Sequence, residues 1–282
     1  MNILENKKLC LGLSGQFGVG IPEQLRLIKE AGFDAFFTGW AHGADIMPCV
    51  NAAREYDIPI QSVHAPFNKT DDLWGEDELL AEKGLSELIE CVHICEEYSV
   101  PIMVSHVFIG FDSDNIPTQV GLERYYKLIR EAEKCGVKIG FENTEGIEYL
   151  DAIFRNFSGE KSVGFCWDSG HEMCYNHSDD LLAKYGGRLI CTHINDNLGI
   201  RDYGGKITWL DDLHLLPFDG IADWDCNTNR LKKCGYDSIL TLELCKKSKP
   251  GRHENDVYDA MPVEVYIAEA YKRACRIAAK MK

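Results

Sequence analysis

The chain has 282 residues, a formal net charge of −15, 45% hydrophobic and 27% charged residues, a composition that supports a full core and excludes extended disorder. Such acidity opposes a grip on duplex nucleic acid, whose phosphates are neutralised by lysine and arginine. No apolar stretch reaches the roughly 20 residues of a membrane span, and residues 1–8 lack the apolar centre of a secretion signal, so a cytoplasmic protein without membrane contact is expected.

In chain order, strand-like apolar runs fall at Leu9–Leu13, Ala35–Thr38, Ile60–His64, Ile102–His106, Lys138–Glu142, Val163–Asp168, Leu189–Ile194 and Ser238–Glu243. Runs apolar on both faces are those of a parallel sheet covered on both sides. Amphipathic stretches separate them, among them Pro22–Ala31, Glu78–Tyr98, Thr118–Lys134 and Ala222–Lys233. Proline opens the first, and Gly32, Gly136 and Gly235 stand where a left-handed helix cap would precede the next strand. Eight strands, each followed by a helix, predict an α/β fold of the (β/α)8 type, with residues 1–282 as one barrel domain. A doubly wound sheet is the competing architecture, but no Gly-x-Gly-x-x-Gly follows the first strand. The twelve cysteines are scattered without a Cys-x-x-Cys and read as reduced, buried apolar residues rather than disulfides or zinc ligands.

Six of these runs end in a metal-type ligand. Glu142, Asp168, His193 and Glu243 close four of them, and His64 and His106 close two more. A charged residue ending a buried strand is poorly suited to the core, and in a parallel barrel the strand ends converge on the face that houses catalysis. Asp168-Ser-Gly-His171 is expected to put a carboxylate and an imidazole on one tight turn, with Gly170 allowing the bend. Asp212-Leu-His214 repeats the pair at alternate positions, which in an extended segment point the same way. Imidazole and carboxylate without thiolate suit Mn, Zn, Co or Mg.

Val63-His64-Ala65-Pro66-Phe67, Phe141-Glu142-Asn143, Trp167-Asp168-Ser169-Gly170-His171, Thr192-His193-Ile194-Asn195-Asp196, the segment Leu213–Trp224 and Leu242-Glu243 resemble, in order, the strand-end motifs of the xylose isomerase-like barrels. That superfamily includes sugar phosphate isomerases and epimerases, ketose 3-epimerases and the endonuclease IV family (AP endonuclease family 2). In the epimerase branch the resemblance implies one divalent metal on Glu142, Asp168, His193 and Glu243, with His171 facing substrate. In the endonuclease branch it implies three zinc ions, with His64, His106, His171, Asp212 and His214 at the additional positions; a longer gap between His193 and Asp212 departs from that pattern.

The expected activity is therefore isomerisation or epimerisation of a sugar or sugar phosphate through an enediolate. Glu142 and Glu243 form the acid–base pair, and His64 and His171 orient substrate hydroxyls. The alternatives are a zinc phosphodiesterase acting on abasic DNA and a metal-dependent lyase or dehydratase on the same barrel. Lys246 and Lys247, in the one dense basic run (Lys246, Lys247, Lys249, Arg252), are candidate phosphate contacts, and Trp40, Phe67, Trp74 and Phe108 are candidate pocket walls. The expected partner is a small carbohydrate and not nucleic acid, and the C-terminal helix Val263–Ala279 either covers the barrel or pairs two subunits.

Overall fold

Side chains two residues apart on a strand share a face, so a closed sheet collects an inward row from every strand. A computed structural model describes residues 7–111, 116–200 and 206–282. Its eight parallel strands are β1 (Leu9–Gly12), β2 (Ala35–Gly39), β3 (Ile60–His64), β4 (Ile102–His106), β5 (Lys138–Glu142), β6 (Val163–Asp168), β7 (Leu189–His193) and β8 (Leu240–Leu242). They pair in the order β7-β6-β5-β4-β3-β2-β1-β8. Just past β7, Ile194 bridges to Leu242 and its N–H donates to the Thr241 carbonyl at 2.7 Å, which brings the two ends of the sheet together. The expected (β/α)8 barrel is the observed fold.

Among the described residues there are ten helices: α1 (Ile21–Ala31), α2 (Met47–Glu55), α3 (Glu78–Glu97), α4 (Gln119–Lys134), α5 (Ile147–Asn156), α6 (Ser169–Cys174), α7 (Leu181–Tyr185), α8 (Trp224–Lys233), α9 (Asp256–Asp259) and α10 (Val263–Lys280). Side-chain caps start several of them; Asp77 accepts from Leu79 and Leu80, Thr118 from Gly121, and Asp223 from Asp225 and Cys226. Each such cap satisfies amides the helix leaves open. Gly32, Gly136 and Gly235 adopt positive φ at the helix ends, as anticipated. On α10, Tyr266, Ile267, Ala270, Ala274 and Ile277 are buried, and the helix packs on α1, α8, β1 and β8, covering the flank where the barrel closes.

The main apolar core lies between sheet and helices. Inside the barrel lies a small separate cluster, Ile102, Val104, Cys166 and Cys191; Val104, Cys166 and Cys191 sit one step below the strand ends, two residues before His106, Asp168 and His193, and Ile102 one step lower. Gly140 belongs to the same layer, since a methyl there would meet the Cys166 and Cys191 Cβ atoms at 3.4 and 3.8 Å. These thiols are free and buried, consistent with their reading as core residues. No described helix is long and apolar enough to cross a membrane.

Candidate metal centre

The strand ends deliver their ligands to one place. Glu142, Asp168 and His193 have fully buried side chains, and Glu243, just past β8, is about one quarter exposed. His193 Nδ1 lies 2.8 Å from Glu142 Oε1 and 3.1 Å from Glu243 Oε2. One donor atom from each of Glu142, Asp168, His193 and Glu243 falls within 4.8 Å of the others.

Glu142 faces two ways. Its Oε2 is 3.3 Å from both His64 Nε2 and His106 Nε2, which makes a second donor set, His64–His106–Glu142. A third set is His171–Asp212–His214, with His214 Nε2 at 2.7 Å from Asp212 Oδ2 and His171 Nε2 at 3.6 Å from Asp212 Oδ1. Every predicted histidine and carboxylate ligand is thus brought into this one region.

Neighbouring groups fix these rings. Nδ1 of His64 donates to the Ala65 carbonyl (2.9 Å), that of His171 to Asn143 (3.0 Å) and that of His214 to Glu243 (3.1 Å). With Nδ1 held by a carbonyl, Nε2 is the nitrogen turned to the carboxylates, and a metal would take the place of its proton; metal-binding imidazoles are usually oriented in this way. Asp168 is fixed as firmly. Its Oδ1 caps α6 by accepting from the His171 N–H at 2.7 Å, its Oδ2 accepts from Asn195 Nδ2 at 2.8 Å, and its N–H donates to Asn143 Oδ1 at 2.8 Å. Phe37 stacks on His193 with centroids 4.8 Å apart, and it fits because Gly12 has no Cβ, which would lie 2.5 Å from that ring.

Electrostatics favour a bound cation. Burial raises Glu142, but His193, His106 and His64 outweigh it and hold the carboxyl well below its usual range. Burial likewise opposes ionisation of Glu243, yet His193 and His214 bring it to about 2. Asp168 is pushed up to about 6 by burial, only partly offset by His171 and His214. Burial disfavours charge on His171, but Asp168 and Asp212 raise it to about 10; His193 and His214 are also raised, against their own burial, by facing carboxylates. Asp212 Oδ1 is buried without a hydrogen-bond partner, a costly condition that a cation relieves. These residues fit a divalent ion.

Two local expectations are corrected. Asp168–His171 is not a bend: residues 169–174 form α6, and Gly170 is required because a Cβ there would lie 1.9 Å from Asn195 Oδ1. Asp212 and His214 meet through a kink rather than an extended segment, since His214 sits at φ 47°. Lys246 is buried and donates to the Asp259 carbonyl at 2.9 Å, so its ammonium is turned from the pocket. Lys247 is exposed and reaches Gln16 only through its N–H. Of the aromatic candidates, Trp40 and Phe67 line a cavity of about 380 Å³ together with His64, His214 and Glu243. Trp74 and Phe108 pack elsewhere, Trp74 donating to the Val107 carbonyl at 2.8 Å and Phe108 stacking on Tyr149 at 4.2 Å. Phe37, Asn143 and Asn195 carried no ligand-type signal in the sequence.

The family described as "Xylose isomerase-like TIM barrel" matches residues 25–263. The chain belongs to this family. Over 110 residues it is 40% identical to the uncharacterized protein y4fM of Sinorhizobium fredii, covering 38% of this chain and 30% of that one. Over 128 residues it is 27% identical to the uncharacterized protein MJ1311 of Methanocaldococcus jannaschii, covering 42% and 40%. The matches thus span well under half the length of these relatives. Among solved structures, an IolI protein with a binding zinc atom superposes with a TM-score of 0.76 at 19% identity, covering 98% of this chain and 99% of that one. A D-tagatose 3-epimerase-like protein gives 0.70 at 20% identity (96% and 98%), and an L-ribulose 3-epimerase 0.66 at 14% (97% and 97%). At these identities the likeness establishes the fold.

Proposed function

We propose that this protein is a divalent-metal-dependent isomerase or epimerase of a sugar or sugar phosphate, with Glu142 and Glu243 as the proton-transfer pair. The observation that carries the reading is their placement: carboxylates from β5 and from the end of β8 flank one imidazole nitrogen at 2.8 and 3.1 Å, and Glu243 borders the cavity. Glu142, Asp168, His193 and Glu243 would hold a divalent ion, which would supply Lewis-acid polarisation of a substrate carbonyl. Glu243, ionised and the more exposed of the pair, takes the proton from the carbon next to the carbonyl. Glu142 delivers one to the other side, relayed from the protonated imidazole of His64, whose Nε2 lies 3.3 Å from its Oε2. His64, in the cavity wall, orients a hydroxyl, and so does His171, whose Nδ1 lies 3.7 Å from Glu142 Oε1. Phe67 and Trp40 exclude water around the reacting carbons. The family match and the sugar-processing proteins of the same fold support this class, and the assignment to Zn, Mn, Co or Mg follows from the donor chemistry alone.

A second reading is favoured by the two further donor sets, His64–His106–Glu142 and His171–Asp212–His214. Additional ions there would suit phosphodiester hydrolysis, in which attacking and leaving oxygens are both stabilised. The net charge of −15 weighs against duplex DNA as the substrate. Incubating reconstituted protein in heavy water with free and phosphorylated pentuloses and hexuloses separates the two. Deuterium at the carbon beside the carbonyl, lost in Glu243→Gln, is expected. No exchange on any sugar, with cleavage of an abasic duplex or simple phosphodiester, would replace the first reading with the second.

A further inference from the structure

Beside the third donor set lies a side chain that no ligand pattern calls for. Lys249, about one fifth exposed, places Nζ 3.4 Å from Asp212 Oδ2 and 5.5 Å from the centroid of the Trp209 ring. The same oxygen accepts from His214 Nε2 at 2.7 Å, while Oδ1 has no hydrogen-bond partner. Neighbouring cations are committed elsewhere: Lys246 to the Asp259 carbonyl, and Arg252 to Glu254 at 3.0 Å and Asp211 at 3.7 Å.

An ion bound by His171, Asp212 and His214 would need Asp212 and would sit within a few ångströms of that ammonium. Like charges at about 4 Å repel strongly even at the effective dielectric of a protein surface. The lysine and a divalent ion are therefore competitors for one carboxylate. Being tethered, the lysine competes at high local concentration without depending on metal supply.

We propose that Lys249 is the resident cation of the His171–Asp212–His214 corner and that it lowers by one the number of divalent ions this protein retains. The proposal rests on the reading of the barrel mouth as a metal centre and extends it by saying which donor set the chain itself neutralises. Lys249 is a positioning residue here, acting through Asp212.

The test is metal content. Full-length protein is stripped with a chelator, titrated with Zn²⁺ by calorimetry, and its retained zinc counted by elemental analysis after gel filtration. Lys249→Met and, independently, Lys249→Gln are expected to retain one more Zn²⁺ per chain than wild type, with an affinity at that site at least ~100-fold above any binding there in wild type. Lys249→Arg keeps the charge and should stay at the wild-type number. Adding Asp212→Asn to Lys249→Met should remove the extra ion. Equal zinc content in wild type and both neutral variants overturns the proposal. If that shared number is one or more, the metal centre stands and only the role of Lys249 falls; if it is zero, the metal centre falls with it.

Discussion

Gly170→Ala tests whether the α6 turn is built to hold Asp168. The added methyl would lie 1.9 Å from Asn195 Oδ1 and 2.9 Å from its Cγ. Asn195 is fully buried, and its backbone is tied at both ends to Ser169 Oγ, by its N–H at 3.0 Å and its carbonyl at 2.7 Å. The amide therefore has to rotate, which breaks its 2.8 Å bond to Asp168 Oδ2. Overpacking costs about 1–3 kcal/mol, and losing a hydrogen bond to a buried carboxylate about 1.5–3 kcal/mol. A total near 3–5 kcal/mol is expected, read from denaturant unfolding of the chelated protein. With its Oδ2 no longer oriented, Asp168 is held only through Oδ1 and its N–H, and zinc affinity should fall about 10–100-fold, as for loss of groups that orient ligands, read by competition with a chromophoric chelator. A variant within about 0.5 kcal/mol of wild type and unchanged in zinc affinity would refute the argument, because the clash could then be absorbed without moving Asn195.

Arg230→Met should cost about 3–5 kcal/mol in the same unfolding assay. It strands the buried Glu172, which Arg230 holds through two bonds of 2.7 and 2.8 Å, with only Trp167 Nε1 and the Leu181 N–H left to it. Gly12→Ala should cost about 1–3 kcal/mol by pushing Phe37 off His193, and zinc competition should weaken with it; an unchanged pair of values would show that the stack does not support the ligand. Removing metal should lower the thermal midpoint by about 5–10 °C relative to protein with zinc at 100 times Kd, since that occupancy contributes about 2.7 kcal/mol. An identical midpoint with and without chelator would mean that no ion is bound in the folded state. Glu243→Gln should keep zinc and lose proton exchange by about 10²-fold or more, measured by proton NMR in heavy water.

The strands and their terminal ligands were legible because alternation is a local property: an apolar run closed by Glu142, Asp168 or His193 states both the strand and the end at which it meets solvent or substrate. All eight strands lie where the runs placed them, most within one residue and β8 shorter at both ends. Short helices were less legible. Residues 169–174 carry two small residues and read as a turn, and only the Asp168 carboxylate accepting from the His171 N–H shows that the chain enters a helix. The helices α2 and α5, of 9 and 10 residues, were expected only from the strand–helix alternation and not given bounds from the sequence. The groups that hold the ligands were least legible. Asn143 and Asn195 gain their roles only when β5, β6 and β7 stand side by side, and an asparagine alone signals a turn as readily as a buried clamp. Lys249 shows the same limit from the charge side. In the sequence it is one of four basic residues in a loop, and only the fold separates Lys246, sealed against a carbonyl, from Lys249, seated on Asp212. Candidate ligands are thus local information, whereas on our proposal the number of ions they would hold depends on which cation the folded chain brings to them, and that is a property of the fold and not of composition or motif.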